Sequence, residues 1–261
     1  MLIDFHTHCF PDGIAPKAVD RLRFVSGGLQ YHTDGTADGL KKQMTESGVD
    51  YSVVLNIATN AHQQKSVNDF AASINKGNLI SFGSVYPHSP DVLEELERIK
   101  ALGLKGVKLH PDYQQFSVDD EKMKPIYQKI SSLGLITVFH AGYDYGYPPP
   151  YGGTPEKMRK ALSWFSSPVV AAHFGGLNYY EEVLNTLCGC DVYFDTAFAY
   201  GCMPKYYAER IIEKHGTDKI LFGTDTPWHT PEMELRLLAS LGLSVEELEK
   251  IKWKNAKQLV L

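Results

Sequence analysis

Six residues that can bind a metal ion come directly after short runs of apolar and β-branched residues. They are His6, His8, His110, His140, His173 and Asp225. Short runs of this kind are typical of buried strands, so each of these side chains would lie at or near the carboxyl end of a strand. Imidazole nitrogens and carboxylate oxygens suit zinc and other divalent first-row ions, and three or four protein ligands leave one position for water. The residue types therefore predict a metal centre.

His6 and His8 form the clearest pair, in the string DFHTH. Side chains alternate along a strand, so both imidazoles would face the same side. The pair alone is a weak signal, because ten histidines in 261 residues produce this spacing by chance in many chains. By itself it would equally fit two core or surface histidines. The prediction of a metal depends on His140, His173 and Asp225, which end further strands.

Strand-like runs alternate with segments of helical periodicity along the chain. The eight runs are residues 2–8, 51–57, 79–85, 105–110, 135–140, 168–173, 191–196 and 219–225. Residues 91–102 and 119–133, between them, carry apolar residues at helical spacing, and glycine ends each segment. This alternation predicts an α/β fold with a parallel sheet, and eight strands favour a distorted TIM (β/α)8 barrel whose strand ends share one active face. An open doubly wound sheet is the alternative, although the phosphate-binding glycines expected after its first strand are absent.

Two connections in this pattern are unusually long, residues 9–34 and 143–154, and the second reads YDYGYPPPYGGT. Both follow strand ends on the expected active face, so we expect them to form walls or a cover over the site. No linker or low-complexity segment interrupts the chain. We expect residues 1–261 to form a single metal-dependent barrel domain.

Charge and composition narrow the range of partners. A net charge of -5 and a pI near 6.1 give no electrostatic reason to expect nucleic acid or an anionic membrane surface. No apolar stretch approaches the roughly 18 residues that suggest a membrane span, and Met1 leads into the first strand without an export signal. The four cysteines are too few and too irregular for a disulfide scaffold. We therefore expect a cytoplasmic protein with reduced thiols that binds a small molecule, and self-association stays open.

Five strings in this order, DFHTH, GVKLHP, VFHAG, AAHFGG and FGTDTPW, resemble the amidohydrolase superfamily and in detail its amidohydrolase-2 branch. The resemblance extends from the first strand to residues 255–261. It implies a divalent ion, Zn²⁺ foremost and Mn²⁺ as the alternative, with the ligands His6, His8, His140 and Asp225. It also implies that His173 assists catalysis or binds a second ion, so one or two ions are expected.

Strand four carries Lys108 and His110, which would face the same way. The string GVKLHP is similar to strand four of dihydroorotase-like members, in which the lysine is carboxylated and bridges two metals. The alternative is an unmodified lysine that contributes a positive charge. We therefore interpret Lys108 and His110 as a bridge to a second metal or as substrate contacts. Asp195, which ends strand seven, is interpreted as a structural hydrogen-bond acceptor.

The expected reaction is hydrolysis of an amide, ester or lactone bond by metal-activated water, because a bound divalent ion lowers the pKa of its water from about 15.7 toward 7. Asp225 would accept the proton of this water, and His173 would polarise a carbonyl oxygen or share in proton transfer. The resemblance implies one alternative, non-oxidative decarboxylation of an aromatic or unsaturated acid. A non-catalytic ligand-binding barrel is a third. Aromatic residues abound in the predicted loops and arginines are scarce, which favours a compact, partly aromatic substrate over a polyanion.

Overall fold

The computed structural model describes residues 1–261 and contains eight strands at the predicted positions. The strands are β1 (Ile3–Thr7), β2 (Tyr51–Leu55), β3 (Leu79–Phe82), β4 (Gly106–Leu109), β5 (Ile136–Phe139), β6 (Val169–Ala171), β7 (Tyr193–Asp195) and β8 (Ile220–Leu221). The helices are α1 (Ala15–Val25), α2 (Ala37–Ser47), α3 (Gln64–Ile74), α4 (Val92–Ala101), α5 (Lys124–Ser132), α6 (Pro155–Ala161), α7 (Tyr180–Thr186), α8 (Lys205–His215), α9 (Pro231–Ser240), α10 (Val245–Glu249) and α11 (Asn255–Val260). No helix among them is both long enough and apolar enough to cross a bilayer.

All strand pairs are parallel, and neighbours in space are neighbours in the chain. Strands β1 to β3 form one sheet and strands β4 to β8 form a second. Single parallel bridges join the two sheets, between Gly83 and Val107 on one side and between Thr7 and Thr226 on the other. This order and these two seams give the distorted (β/α)8 barrel that the sequence predicts, in which regular pairing is interrupted where β3 meets β4 and where β8 meets β1.

The strands are buried along nearly their whole length. Two clusters of buried apolar residues contain 49 and 12 members, and together they include residues of every strand. The larger cluster joins helices to strands, as in the case of Leu96, Ile130 and Val107. Parallel strands covered by helices are buried on both faces, which explains why these strands read as nearly continuous apolar runs in the sequence.

Two helices confirm the helical segments predicted from periodicity. Helix α4 lies within residues 91–102, and α5 lies within residues 119–133 after a 3₁₀ turn at Glu121–Met123. Gly103 and Gly134 follow these helices with φ angles of 77° and 63°. Glycine adopts this left-handed conformation without steric cost, and the conformation ends a helix. Strands β4 and β5 then begin within a few residues.

The two long connections contact each other beyond the strand ends. Residues 9–34 contain α1, a helix that the sequence analysis did not predict, whereas residues 143–154 contain no helix or strand. A side-chain carbon of Val25 lies 3.4 Å from the position that a Cβ on Gly146 would occupy. The rings of Tyr113 and Tyr147 lie 5.0 Å apart, which joins the second connection to the segment after β4.

Candidate metal centre

Three of the predicted metal ligands meet where β1 and β8 end. Nε2 of His6 lies 3.2 Å from Nε2 of His8, and Oδ1 of Asp225 lies 3.3 Å and 3.0 Å from these nitrogens. Ligand atoms about 2.1 Å from a tetrahedral ion lie about 3.4 Å from one another. The spacing within this three-ligand group (His6, His8 and Asp225) therefore fits one shared divalent ion.

Backbone hydrogen bonds hold the three-ligand group across the seam between β8 and β1. The N–H of Asp225 donates to the carbonyl oxygen of His6 at 2.8 Å, and the N–H of His8 donates to that of Thr226 at 2.7 Å. Asp225 has a φ angle of 67°, a left-handed conformation that is uncommon for a residue with a side chain. Such residues persist where the surrounding structure fixes them, and they cluster at functional sites.

The outer nitrogen of each imidazole in the group is bound to an acceptor. Nδ1 of His6 donates to Oδ2 of Asp195 at 2.8 Å, and Nδ1 of His8 donates to the carbonyl oxygen of Leu55 at 2.7 Å. These acceptors place the proton on Nδ1, so the Nε2 lone pairs of the two rings face each other. Two lone pairs at this distance repel unless a cation lies between them. The donor set therefore fits a metal ion, with Asp195 as the acceptor that orients His6.

His140 lies beside His173 and outside the three-ligand group. Nε2 of His140 donates to the carbonyl oxygen of Tyr143 at 3.1 Å, and Nδ1 of His173 donates to that of Ala197 at 3.0 Å. The remaining nitrogens, Nδ1 of His140 and Nε2 of His173, face each other at 3.1 Å. The ring centroid of His173 lies 5.1 Å from that of His6. The structure thus places three of the four predicted ligands in the three-ligand group. The fourth, His140, lies in a neighbouring pair with His173.

Lys108 brings a buried amine to the three-ligand group. Its Nζ lies 3.4 Å from Nε2 of His6, and the residue is 1% exposed. Burial lowers the pKa of Lys108 to about 8, against the attraction of Asp195 and Asp225. A buried lysine with a lowered pKa is uncharged in part of the molecules near neutral pH. The uncharged amine is also the form that reacts with carbon dioxide.

His110 belongs to a second cluster of two histidines and an aspartate, which we call the stacked group (His110, His140 and Asp144). Nε2 of His110 lies 3.3 Å from Oδ2 of Asp144, and the rings of His110 and His140 stack at 4.1 Å with planes only 6° apart. Tyr113 stacks on the other side of His110 at 3.8 Å. Lone pairs in parallel ring planes do not converge on one ion, so Asp144 orients His110 here. Asp144 was not predicted, although its segment, residues 143–154, was expected to border the site.

The site residues have the protonation states in which they can bind a metal ion. Burial lowers the pKa values of His6, His110 and His140 well below their usual value, so these imidazoles are neutral near neutral pH. Burial alone would raise the pKa of Asp225, but the closeness of the His6 and His8 imidazoles lowers it below the usual range. Neutral imidazole and ionised carboxylate are the forms that bind metal ions.

Comparison with known families identifies the class of protein. A family model described as Amidohydrolase matches residues 3–260, so the chain belongs to this family, the amidohydrolase-2 branch that the sequence motifs resemble. Members of the family are metal-dependent enzymes that include hydrolases and decarboxylases. No curated protein shows significant sequence similarity to the chain.

Solved structures confirm the fold. An uncharacterised TIM-barrel protein from Bordetella bronchiseptica superposes with a TM-score of 0.80 at 18% identity, covering 99% of this chain and 97% of that one. The 5-carboxyvanillate decarboxylase LigW from Sphingomonas paucimobilis gives 0.72 at 16% identity, with 99% and 98% covered. A dihydroxybenzoic acid decarboxylase from Polaromonas sp. JS666, with bound manganese and the inhibitor 2-nitroresorcinol, gives 0.73 at 15% identity, with 99% and 96% covered. At these identities the similarity establishes the TIM-barrel fold.

Proposed function

We propose that the protein is a metal-dependent hydrolase that acts on an amide, ester or lactone bond of a small organic substrate. The proposal is carried by the three-ligand group, in which two imidazoles and a carboxylate approach within 3.3 Å of one another. His6, His8 and Asp225 would hold the ion, with His140 as a fourth ligand, and a nitrogen-rich set of this kind suits Zn²⁺ better than Mn²⁺. Such an ion lowers the pKa of a water molecule toward neutral.

Asp225 is the proton carrier in this proposal. Its Oδ1 is the oxygen that lies close to Nε2 of His6 and of His8, which leaves Oδ2 to accept the proton of the attacking water. The same oxygen would return the proton to the leaving group as the bond breaks. Nδ1–H of His173 is bound to the carbonyl oxygen of Ala197, so Nε2 of His173 is an acceptor. This favours a share in proton transfer over polarisation of a carbonyl as the function of His173.

Lys108 and His110 would contact the substrate. The amine of Lys108 can pair with a carboxylate or a carbonyl oxygen beside His6, and His110 is oriented toward the site by Asp144. The alternative of a carboxylated Lys108 that bridges two ions is supported by its burial and lowered pKa. A crystal structure of the metal-loaded protein grown with bicarbonate tests this alternative. Branched density on Nζ would support the bridge, and a bare amine beside one ion would exclude it.

Non-oxidative decarboxylation of an aromatic acid is the second candidate function. Two proteins with the same fold, LigW and the manganese-bound enzyme from Polaromonas, are decarboxylases. A charged Lys108 could hold the carboxylate of an aromatic acid, and the stacked rings of Tyr113 and His110 provide a flat surface nearby.

One screen separates the two reactions. The purified protein is loaded with Zn²⁺ or with Mn²⁺, its metal content is measured by elemental analysis, and it is incubated with esters, lactones, amides and aromatic carboxylic acids. Acid release from the first three classes supports the hydrolase, and carbon dioxide release from the last supports the decarboxylase. Asp225→Asn should abolish the turnover found, whereas Asp38→Asn, at a side chain that is 92% exposed, should leave it unchanged. Full turnover by Asp225→Asn would contradict both proposals.

A further inference from the structure

The seam between β3 and β4 has an interrupted ladder of hydrogen bonds beside Lys108 and His110. One parallel bridge, between Gly83 and Val107, joins the two strands. Within it, the N–H of Lys108 donates to the carbonyl oxygen of Gly83 at 2.9 Å. Two residues further on, a regular parallel ladder would join the N–H of His110 to the carbonyl oxygen of Val85. The strands do not make this bond directly.

The side-chain amide of Gln114 lies in the place of the missing bond. Its Oε1 accepts from the N–H of His110 at 2.9 Å, and its Nε2 donates to the carbonyl oxygen of Val85 at 2.8 Å. A side-chain amide has the donor and the acceptor of a peptide group, so it can bridge the two strands. Nε2 also donates to the carbonyl oxygen of Ala58 at 2.7 Å. Gln114, which is 0% exposed, thus joins the segments that follow β2, β3 and β4.

A serine replaces the other bond of the interrupted ladder. In a regular ladder the carbonyl oxygen of Lys108 would accept from the N–H of Val85. It accepts instead from Oγ of Ser84 at 2.8 Å. The side chain of Asn68, on α3, accepts from the N–H of Ser84 at 2.8 Å and donates to its carbonyl oxygen at 2.9 Å. Side chains therefore bind the backbone groups of Lys108 and His110 on this side of the strand.

Gln114 also fixes the turn that follows His110. Its backbone N–H donates to the carbonyl oxygen of His110 at 2.9 Å, so one residue binds both backbone groups of the histidine. The same turn brings the N–H of Tyr113 to 3.4 Å from Nδ1 of His110 and stacks the two rings. On its other side, the imidazole presents Nε2 to Oδ2 of Asp144 at 3.3 Å. The direction of the His110 ring thus depends on a backbone that Gln114 holds.

We propose that Gln114 is a positioning residue that sets the place and the direction of His110. A strand ladder would fix His110 through backbone bonds alone, whereas this seam depends on one buried side chain. The effect on turnover rests on the proposed function, in which His110 contacts the substrate. The hydrogen bonds of Gln114 do not involve the three-ligand group, so its loss should leave the ion in place.

The first test examines position and needs no activity. Gln114→Met keeps a long, unbranched side chain in the core and removes the amide. Crystal structures of the Zn²⁺-loaded wild type and of this variant should differ at the His110 ring by more than about 0.5 Å, the tolerance within which a functional group must be held. Gln128→Ala, at an exposed glutamine on α5, should leave the ring in place. An undisplaced His110 ring in Gln114→Met would overturn the proposal.

The second test examines whether Gln114 acts through His110. On the substrate found in the screen, Gln114→Met should lower kcat/KM by at least about tenfold, because small misplacements of a contact group are costly. In a His110→Ala background the same change should lower kcat/KM by less than about twofold, since the contact that Gln114 positions is already absent. Equal losses in the two backgrounds would assign Gln114 a general structural role and would refute the proposal.

Metal content and the two tests together separate the possible failures. Elemental analysis should find the wild-type amount of Zn²⁺ in Gln114→Met, and a loss of Zn²⁺ would mean that Gln114 acts on the metal centre instead of His110. A displaced His110 ring with unchanged turnover would contradict the contact between His110 and the substrate, which belongs to the proposed function. The role of Gln114 in placing the ring would then still be supported by the crystal structures.

A measurement on the wild type covers the case in which Gln114→Met does not fold. The amide hydrogen of His110 has no acceptor on a neighbouring strand, and its protection depends on Oε1 of Gln114. Hydrogen exchange of the metal-loaded protein, followed by NMR, should show this amide to be as slow as the ladder amides of β5. Exchange at the rate of an exposed loop amide would show that Gln114 does not hold His110.

Discussion

The three-ligand group and the stacked group contain the same residue types, two histidines and an aspartate each, but their geometries differ. In the three-ligand group, acceptors outside the site hold the Nδ1 atoms, so the free lone pairs converge with a carboxylate oxygen. In the stacked group the rings lie parallel, and the carboxylate faces Nε2 of His110. The direction of each imidazole, and not the composition of the cluster, separates a site suited to an ion from one suited to orienting a side chain.

The largest effect is expected from His6→Ala in the three-ligand group. Removal of one of the two converging imidazoles should release the bound metal and lower kcat/KM by at least about a thousandfold, as the loss of an essential catalytic group does. Elemental analysis and the turnover found in the substrate screen measure the two losses. His62→Ala, at an exposed histidine, is the matched control. If His6→Ala retained metal at the wild-type level, the three-ligand group would not be the metal site.

A smaller effect is expected from Asp195→Asn, which changes the acceptor that orients His6. Loss of such a partner lowers metal affinity by roughly 10- to 100-fold, because the ring is less basic and less well fixed. Competition with a chromophoric chelator measures the affinity. Asp191→Asn, at a side chain that is 96% exposed, should leave the affinity unchanged. Equal metal affinities of Asp195→Asn and the wild type would show that Asp195 does not support metal binding through His6.

The stacked group should respond differently to Asp144→Asn. The metal content should stay complete. The value of kcat/KM should fall by about tenfold, the lower end of what a hydrogen bond to a charged acceptor (about 1.5–3 kcal/mol) is worth, because the amide oxygen of Asn can still accept from His110. The pair of measurements used for His6→Ala applies here too. If Asp144→Asn instead lost metal, the stacked group would be a ligand set and the contrast between the two clusters would fail.

Asp4, a buried carboxyl two residues before His6, should affect the pH dependence of stability and not the metal or the turnover. It accepts hydrogen bonds from Oγ1 of Thr224 at 2.7 Å and from the N–H of His6 at 3.2 Å. Burial raises its pKa from 3.8 to about 8, against the hydrogen bonds of Thr224. The folded state therefore keeps a proton that the unfolded state releases, so the stabilisation by Asp4 is complete below about pH 4 and is lost as the pH rises toward 8.

Denaturant unfolding of the metal-free protein at several pH values tests this sign. Between about pH 4 and 8 the wild type should lose stability relative to Asp4→Asn, by on the order of 1 kcal/mol per pH unit, since Asn does not titrate. A difference that stays constant across this range would mean that Asp4 is already ionised in the folded protein. The three-ligand group would then have a second negative charge beside it, the carboxylate of Asp4, in addition to that of Asp225.

The placement of the site could be predicted from the sequence because two simple rules apply to it. Alternation along a strand puts His6 and His8 on the same side, and a parallel barrel gathers strand ends on one face. The family resemblance added the expectation that Asp225 and His140 bind the same ion as His6 and His8. The eight strands, the barrel and the amidohydrolase family are confirmed, whereas the individual ligand assignments stay predictions.

Other features depend on contacts that no local pattern encodes. The direction of the His140 ring is set by the carbonyl of Tyr143, in a connection without regular structure. Asp144 approaches His110 through the same connection, and helix α1 lies in a segment read only as a long loop. Each feature is set by tertiary packing over many residues.

The seam between β8 and β1 has a consequence for how the protein acquires its ion. Ligands from both ends of the chain, His6 and Asp225, are joined there by one backbone hydrogen bond. An ion bound to both residues would link the first and last strands, and the free energy of its binding would add to the stability of the closed barrel. A partly folded chain, in which β8 has not yet paired with β1, would offer the ion ligands from one side of the seam only. The barrel would therefore have to close before the ion could bind to all of its ligands.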